Sequence, residues 1–128
     1  RSFIDKVTDN GATLHVESRE SVTVAGEVDR VYRDVSADVI SLAGSGIGAG
    51  VVLVKKGFSD VVVWNPWVDK AKAMADFGDE EPTGDIPAPL SRPSQYKNMI
   101  CIEFGEVSTP VTLPAGQTWE AGQTLVAA

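Results

Sequence analysis

The chain has 128 residues, 43% of them hydrophobic and 23% charged, a make-up that suits one globular domain or a segment of a larger β-sheet domain. Its formal net charge of −7 argues against a general nucleic-acid binder, which needs clustered Lys and Arg to displace the counterions around phosphates. A single cysteine and a single histidine exclude an intrachain disulfide and a zinc site built on histidines, and no apolar run is long enough to cross a bilayer.

The chain opens without Met, on what reads as a strand, which suggests truncation or processing; Arg1 to Val7 has no signal-peptide core. Together with the lone Cys101, this sets a cytoplasmic compartment as the expectation, a plastid being the other candidate. The expected partner is a small molecule, with no nucleic acid and no membrane; oligomeric state is left open.

In chain order, Ala12 to Val16 alternates and carries His15, which has no recognisable catalytic partner and reads as structural or solvated. Short β-type runs follow at Ser21 to Val24, Asp29 to Tyr32, Val39 to Leu42, Gly50 to Val54 and Asp60 to Trp64. Two more come at Met99 to Phe104 and Pro110 to Leu113. Each is bounded by Gly, Pro, Asp or Asn, and a spacing of roughly 8–12 residues is a mark of antiparallel sandwiches and barrels. The expected fold is therefore an all-β antiparallel sandwich. The run Gly44 to Gly50 resembles a phosphate loop only superficially, because β-type residues follow it where a phosphate-binding loop would open a helix.

Trp64-Asn65-Pro66-Trp67 sets two indoles around a proline turn, able either to stack on a sugar ring or to seal the end of a core. Val68 to Phe77, rich in Ala and stopped by Gly78, reads as a short helix. Pro82 to Gln95 contains four prolines and reads as an exposed loop. Beyond it, Met99, Cys101 and Glu103 share one face of a strand whose other face carries Ile100, Ile102 and Phe104. Cys101 reads as a small core residue. A carboxylate among such neighbours is either a desolvated general base of raised pKa or a strand-end Glu that reaches water past Gly105. Asp29-Arg30 is either a turn-capping Asp beside a solvated Arg or a pair that binds polar ligand groups.

Several of these words occur in one order: Phe3-Ile4-Asp5-Lys6, Gly26-Glu27-Val28-Asp29-Arg30-Val31-Tyr32, Val61-Val62-Val63-Trp64-Asn65-Pro66-Trp67, Lys70-Ala71-Lys72-Ala73-Met74, Ile100-Cys101-Ile102-Glu103-Phe104-Gly105 and Pro110-Val111-Thr112-Leu113. In this order the chain resembles the C-terminal portion of the glucose-6-phosphate 1-epimerase branch of the aldose 1-epimerase, or galactose mutarotase-like, superfamily. The resemblance implies the C-terminal strands of a large antiparallel supersandwich, spanning residues 1–128 as part of one domain. It departs at Pro82 to Gln95, since in relatives the acidic turn runs straight into Tyr96-Lys97.

The resemblance also implies roles. Glu103 falls on the family's catalytic base and Asp29 on its aspartate for sugar hydroxyls; Trp64 is the substrate-binding candidate that the indole reading adds. The family's acid is an upstream histidine and its phosphate-holding basic residues are also upstream; none has a counterpart among these residues, and His15 does not take the acid's place. The substrate implied is a hexose 6-phosphate, with no metal and no organic cofactor. A carbohydrate-binding module of the same fold, using Asp29, Trp64 and Trp67 without catalysis, is the alternative from another class.

Overall fold

Runs of Val, Ile and aromatic residues between turn-forming residues become strands because branched side chains fit a pleated, half-buried surface. In a computed structural model, residues 1–44, 50–74 and 95–127 are described. Eight strands occur among them: β1 Ser2–Asp5, β2 Leu14–Val16, β3 Val28–Arg33, β4 Val39–Leu42, β5 Val51–Lys56, β6 Asp60–Asn65, β7 Cys101–Gly105 and β8 Gly122–Ala127. One helix, α1 (Trp67–Lys72), follows β6, and a 3₁₀ turn at Gln95–Asn98 precedes β7.

The strands form two antiparallel sheets, the larger ordered β2-β1-β3-β6-β7 and the smaller β4-β5-β8. The all-β architecture read from the sequence is thus the one observed. The chain leaves the larger sheet after β3, builds the β4–β5 hairpin in the other layer, and returns as β6 beside β3. The layers meet over Phe3, Tyr32, Val35 and Val61, against which Ile40 of β4 and Val63, Ile102 and Phe104 of the larger sheet pack.

Period-two alternation assigns each strand of the larger sheet an inner and an outer face. Phe3, Tyr32, Val61, Val63, Ile102 and Phe104 all fall on the inner face. Their registers agree, with Phe3 opposite Tyr32, Tyr32 opposite Val61, and Val61 opposite Phe104. The turn from β5 to β6 depends on Gly57, whose φ is +73° and where a Cβ would lie 2.3 Å from the Glu120 carbonyl oxygen. This close approach lets Trp119 meet Phe58 edge-on at 5.7 Å.

Two expected strands do not form. Ser21–Val24 and Pro110–Leu113 lie outside any strand among the described residues. Alternation alone does not make a strand without a neighbour to complete its ladder. The expected helix Val68–Phe77 is seen as Trp67–Lys72, and its last three residues lie outside the described residues. Of the expected loop, Gln95 opens the 3₁₀ turn, while 82–94 lie outside the described residues.

The second sheet is far less covered than the first. Every residue of β8 is exposed, including Leu125 at 61% and Val126 at 49%. No described helix is long and apolar enough to cross a membrane.

Candidate functional site

The outer face of the larger sheet is built by β3, β6 and β7. Residues opposite one another in an antiparallel pair point to the same side. Asp29 lies opposite Trp64, and Trp64 opposite Cys101; one rung along, Val31 lies opposite Val62, and Val62 opposite Glu103. Asp29, Trp64 and Glu103 therefore share one face. With strands ~4.8 Å apart and a rise of ~3.4 Å per residue, the Cα atoms of Asp29 and Glu103 stand about 12 Å from each other. Val62 and Trp64 form the floor between them.

Asp29 is half-buried, and Lys6 approaches its Oδ1 at 3.6 Å from the end of β1. Glu103 is exposed, because β7 is the outermost strand of its sheet. Of the two environments open to it in the sequence, it takes the one that reaches water, and the desolvation expected from its apolar strand is not present. Cys101, half-buried beside it, has its thiol pKa pushed up by burial and then by the neighbouring Glu103 carboxylate, so it stays a neutral thiol.

Asp29 and Arg30, adjacent in sequence, go to opposite faces, so they are not a joint ligand-binding pair. On the inner face Arg30 Nε donates to Asp5 Oδ2 at 2.8 Å, and its guanidinium lies 4.8 Å from the Phe3 ring centroid. Burial alone would raise the Asp5 pKa, but the Arg30 bond and the amides of Thr8 and Val7 outweigh it and hold the carboxyl below its ordinary value.

The two indoles of the proline turn part company in the same way. Trp67 sits 5.2 Å from the Tyr96 ring and closes the turn, whereas Trp64 is directed to the outer face. Between them Asn65, 3% exposed, ties the turn to the approach to β7. Its Nδ2 donates to the carbonyls of Tyr96 and Met99, both at 2.7 Å, and its Oδ1 accepts from the Trp67 amide at 2.8 Å. Trp67 itself adopts φ +55°, a left-handed conformation costly for a bulky residue and held here by these bonds. The sequence reading missed Asn65, although an Asn before Pro at a strand end is a turn signal. It also missed Lys6, which only the register brings to Asp29.

His15 is structural. Its Nε2 meets Asp9 Oδ2 at 3.1 Å, and its ring stacks on Phe3 at 5.2 Å, on the face opposite Glu103. A shallow hollow lined by Val22 to Val28 and Arg30 includes neither Asp29 nor Glu103, and its lining offers no acid–base pair. Among the described residues no group of three or more His, Cys, Asp and Glu could hold a metal ion.

Over 103 residues, 80% of the chain, the sequence is 38% identical to a protein of Cenchrus ciliaris named "Putative glucose-6-phosphate 1-epimerase". The chain is similar to that protein over this stretch. The resemblance read from its motifs is borne out, and the chain spans 27% of the relative's length. No protein-family profile matches the chain, and no solved structure matches it.

Proposed function

We propose that this chain supplies the base-bearing sugar face of an enzyme that interconverts the α and β anomers of an aldohexose 6-phosphate. The observation that carries the reading is the common face of Asp29, Trp64 and Glu103, in a chain similar to the epimerase named above.

In this reading the Glu103 carboxylate removes the proton from the anomeric O1 while an acid outside these 128 residues protonates the ring oxygen. The C1–O5 bond breaks, its electron pair goes to O5, and the O1–C1 bond becomes the carbonyl of a free aldehyde. Rotation about C1–C2 presents the other face, and ring closure returns both protons to their donors. Asp29 accepts hydrogen bonds from ring hydroxyls and fixes the sugar, while Trp64 offers its indole to the apolar side of the ring. No metal or organic cofactor enters these steps, and the expected setting remains cytoplasmic.

The exposure of Glu103 favours a second reading for the 128 residues alone, that of a carbohydrate-binding module without catalysis. Saturation transfer between the anomers of glucose 6-phosphate separates the two. The first reading expects accelerated exchange by the intact protein and its loss in Glu103→Gln. Exchange at the same rate in that variant would remove Glu103 from the reaction, and binding without any acceleration would leave the module.

A further inference from the structure

We infer that Asp60 and Asn65, at the two ends of β6, are positioning residues for Glu103, clamping the strand that carries it; the inference rests on the reading of Glu103 as the base. Glu103 needs such support more than its neighbours on the face do. Asp29 lies on β3, which is laddered to β1 on one side and to β6 on the other, and Trp64 lies on β6, between β3 and β7. Among the described residues β7 is laddered to β6 alone. A strand held on one side opens more readily than one held on both. The Glu103 side chain is exposed, with no packing of its own to fix it, so its aim follows the strand.

Two buried polar residues answer this need. Asn65 acts at the entry to β7, where its Nδ2 donates to the carbonyls of Tyr96 and Met99, both at 2.7 Å. Asp60, 1% exposed and opposite Gly105, acts at the exit. Its Oδ2 accepts from the amides of Val107 at 3.0 Å and Ser108 at 2.6 Å, and from the Ser108 hydroxyl at 2.6 Å. Burial alone would raise the Asp60 pKa, but the Ser108 hydroxyl and the amides of Ser108, Asp34 and Val107 hold the carboxyl below its ordinary value. Bonds to a charged acceptor are the stronger kind. Beside them, Glu106 Oε1 accepts from the Ser59 amide at 2.8 Å, a further tie across the same end.

Position agrees with this role. Period two sends Asp60 to the outer face of β6 and Asn65 to the inner one, so the two ties resist rolling of β7 as well as sliding. Glu103 stands midway between them, opposite Val62, two rungs from the Asp60–Gly105 pair and two from the Trp64–Cys101 pair that adjoins Asn65. A slip of one residue would carry the carboxylate ~3.4 Å along the sheet and turn it to the other face. Smaller errors matter as well, since a misplacement of ~1 Å can cost about 10²-fold in rate. In this reading neither residue touches the sugar; both act through β7.

The test uses the intact protein and reads deuterium uptake on β7, affinity for glucose 6-phosphate, and anomer exchange at saturating sugar. Ser108→Ala removes one bond to Asp60 and leaves both amide bonds in place. It should speed uptake on Cys101–Gly105 and not on β3, and slow saturated exchange by about 10-fold with affinity unchanged. Asn65→Ala should slow exchange by about 10²-fold, and Ser108→Thr, which keeps the hydroxyl, should restore both uptake and exchange. A role confined to stability would instead speed uptake across the whole sheet and leave the exchange rate per folded molecule as it was. Faster uptake on β7 with exchange at full rate overturns the inference while leaving the base in place, and so does unaltered uptake on β7 in both variants. If Glu103→Gln itself exchanges anomers at full rate, the base reading fails, and the positioning role falls with it.

Discussion

The two faces of the five-stranded sheet use charge differently. On the inner face each prominent charge is spent on another: Arg30 on Asp5, Arg19 on Glu17, and the Tyr32 hydroxyl on Glu17 at 3.4 Å. On the outer face Asp60, at the start of β6, is likewise spent, on the amides of Asp34, Val107 and Ser108, whereas Glu103 reaches water, the Arg33 Nε has no acceptor among the described residues, and Lys6 stands off from Asp29 at 3.6 Å. Paired groups stabilise a fold and have no capacity left for a ligand; under-satisfied ones cost stability and are free to bind. The same strand, β3, carries both kinds of group on alternate residues.

The contrast is broken most sharply at Glu103. Glu103→Gln should reduce anomer exchange by ~10²–10⁴-fold, the usual worth of one acid–base group, with no change in thermal midpoint because the side chain is exposed. A fall in stability equal to that of an inner-face mutation would place it on the structural side. At Asp5 the pattern should reverse. Asp5→Ala removes three hydrogen bonds and leaves Arg30 without its partner, so an expected loss of about 3 kcal/mol should appear in the urea midpoint. Sugar affinity should fall only as far as the folded fraction does.

Acid probes the inner face next. Glu17 is lowered to about 2 from 4.5, chiefly by its bonds to the Arg19 side chain acting against burial. A depressed folded-state value adds stability that is fully present above about 4.5 and is lost as pH falls towards 2. Thermal midpoints measured from pH 5 to pH 2 should therefore drop, and Arg19→Gln should flatten that drop. Asp5 and Asp60, both held low against burial, contribute with the same sign. The smallest effect is expected at Asp29. Asp29→Asn should weaken sugar binding about tenfold, for the loss of one charge-assisted acceptor, and shift stability by under ~0.5 kcal/mol. Isothermal titration with glucose 6-phosphate measures the first and denaturant unfolding the second.

Much of the scaffold was legible because strand residues announce themselves by branching and by their turn boundaries. Val39–Leu42 forms as read, and Asp60–Trp64 extends by a single residue to Asn65. Ser21–Val24 and Pro110–Leu113 carry the same residue types but no strand, since the ladder that would fix them is a tertiary fact and absent from local pattern. The site divides along the same line. Period two alone puts Asp29, Val31 and Arg33 on one side of β3. The exposure of Glu103 could not, because an edge strand and a central strand can share one apolar pattern, and only strand order decides which β7 is. Nor could the reach of Lys6 to Asp29, which depends on how β1 registers with β3.

Methyl NMR of the valines during a glucose 6-phosphate titration tests the sugar face most directly, since Val61, Val62 and Val63 are consecutive on β6 and alternate in direction. The account predicts that the Val62 methyls move with the sugar while Val61 and Val63 stay still. Movement of Val61 and Val63 with Val62 silent would put the ligand on the inner face and contradict it.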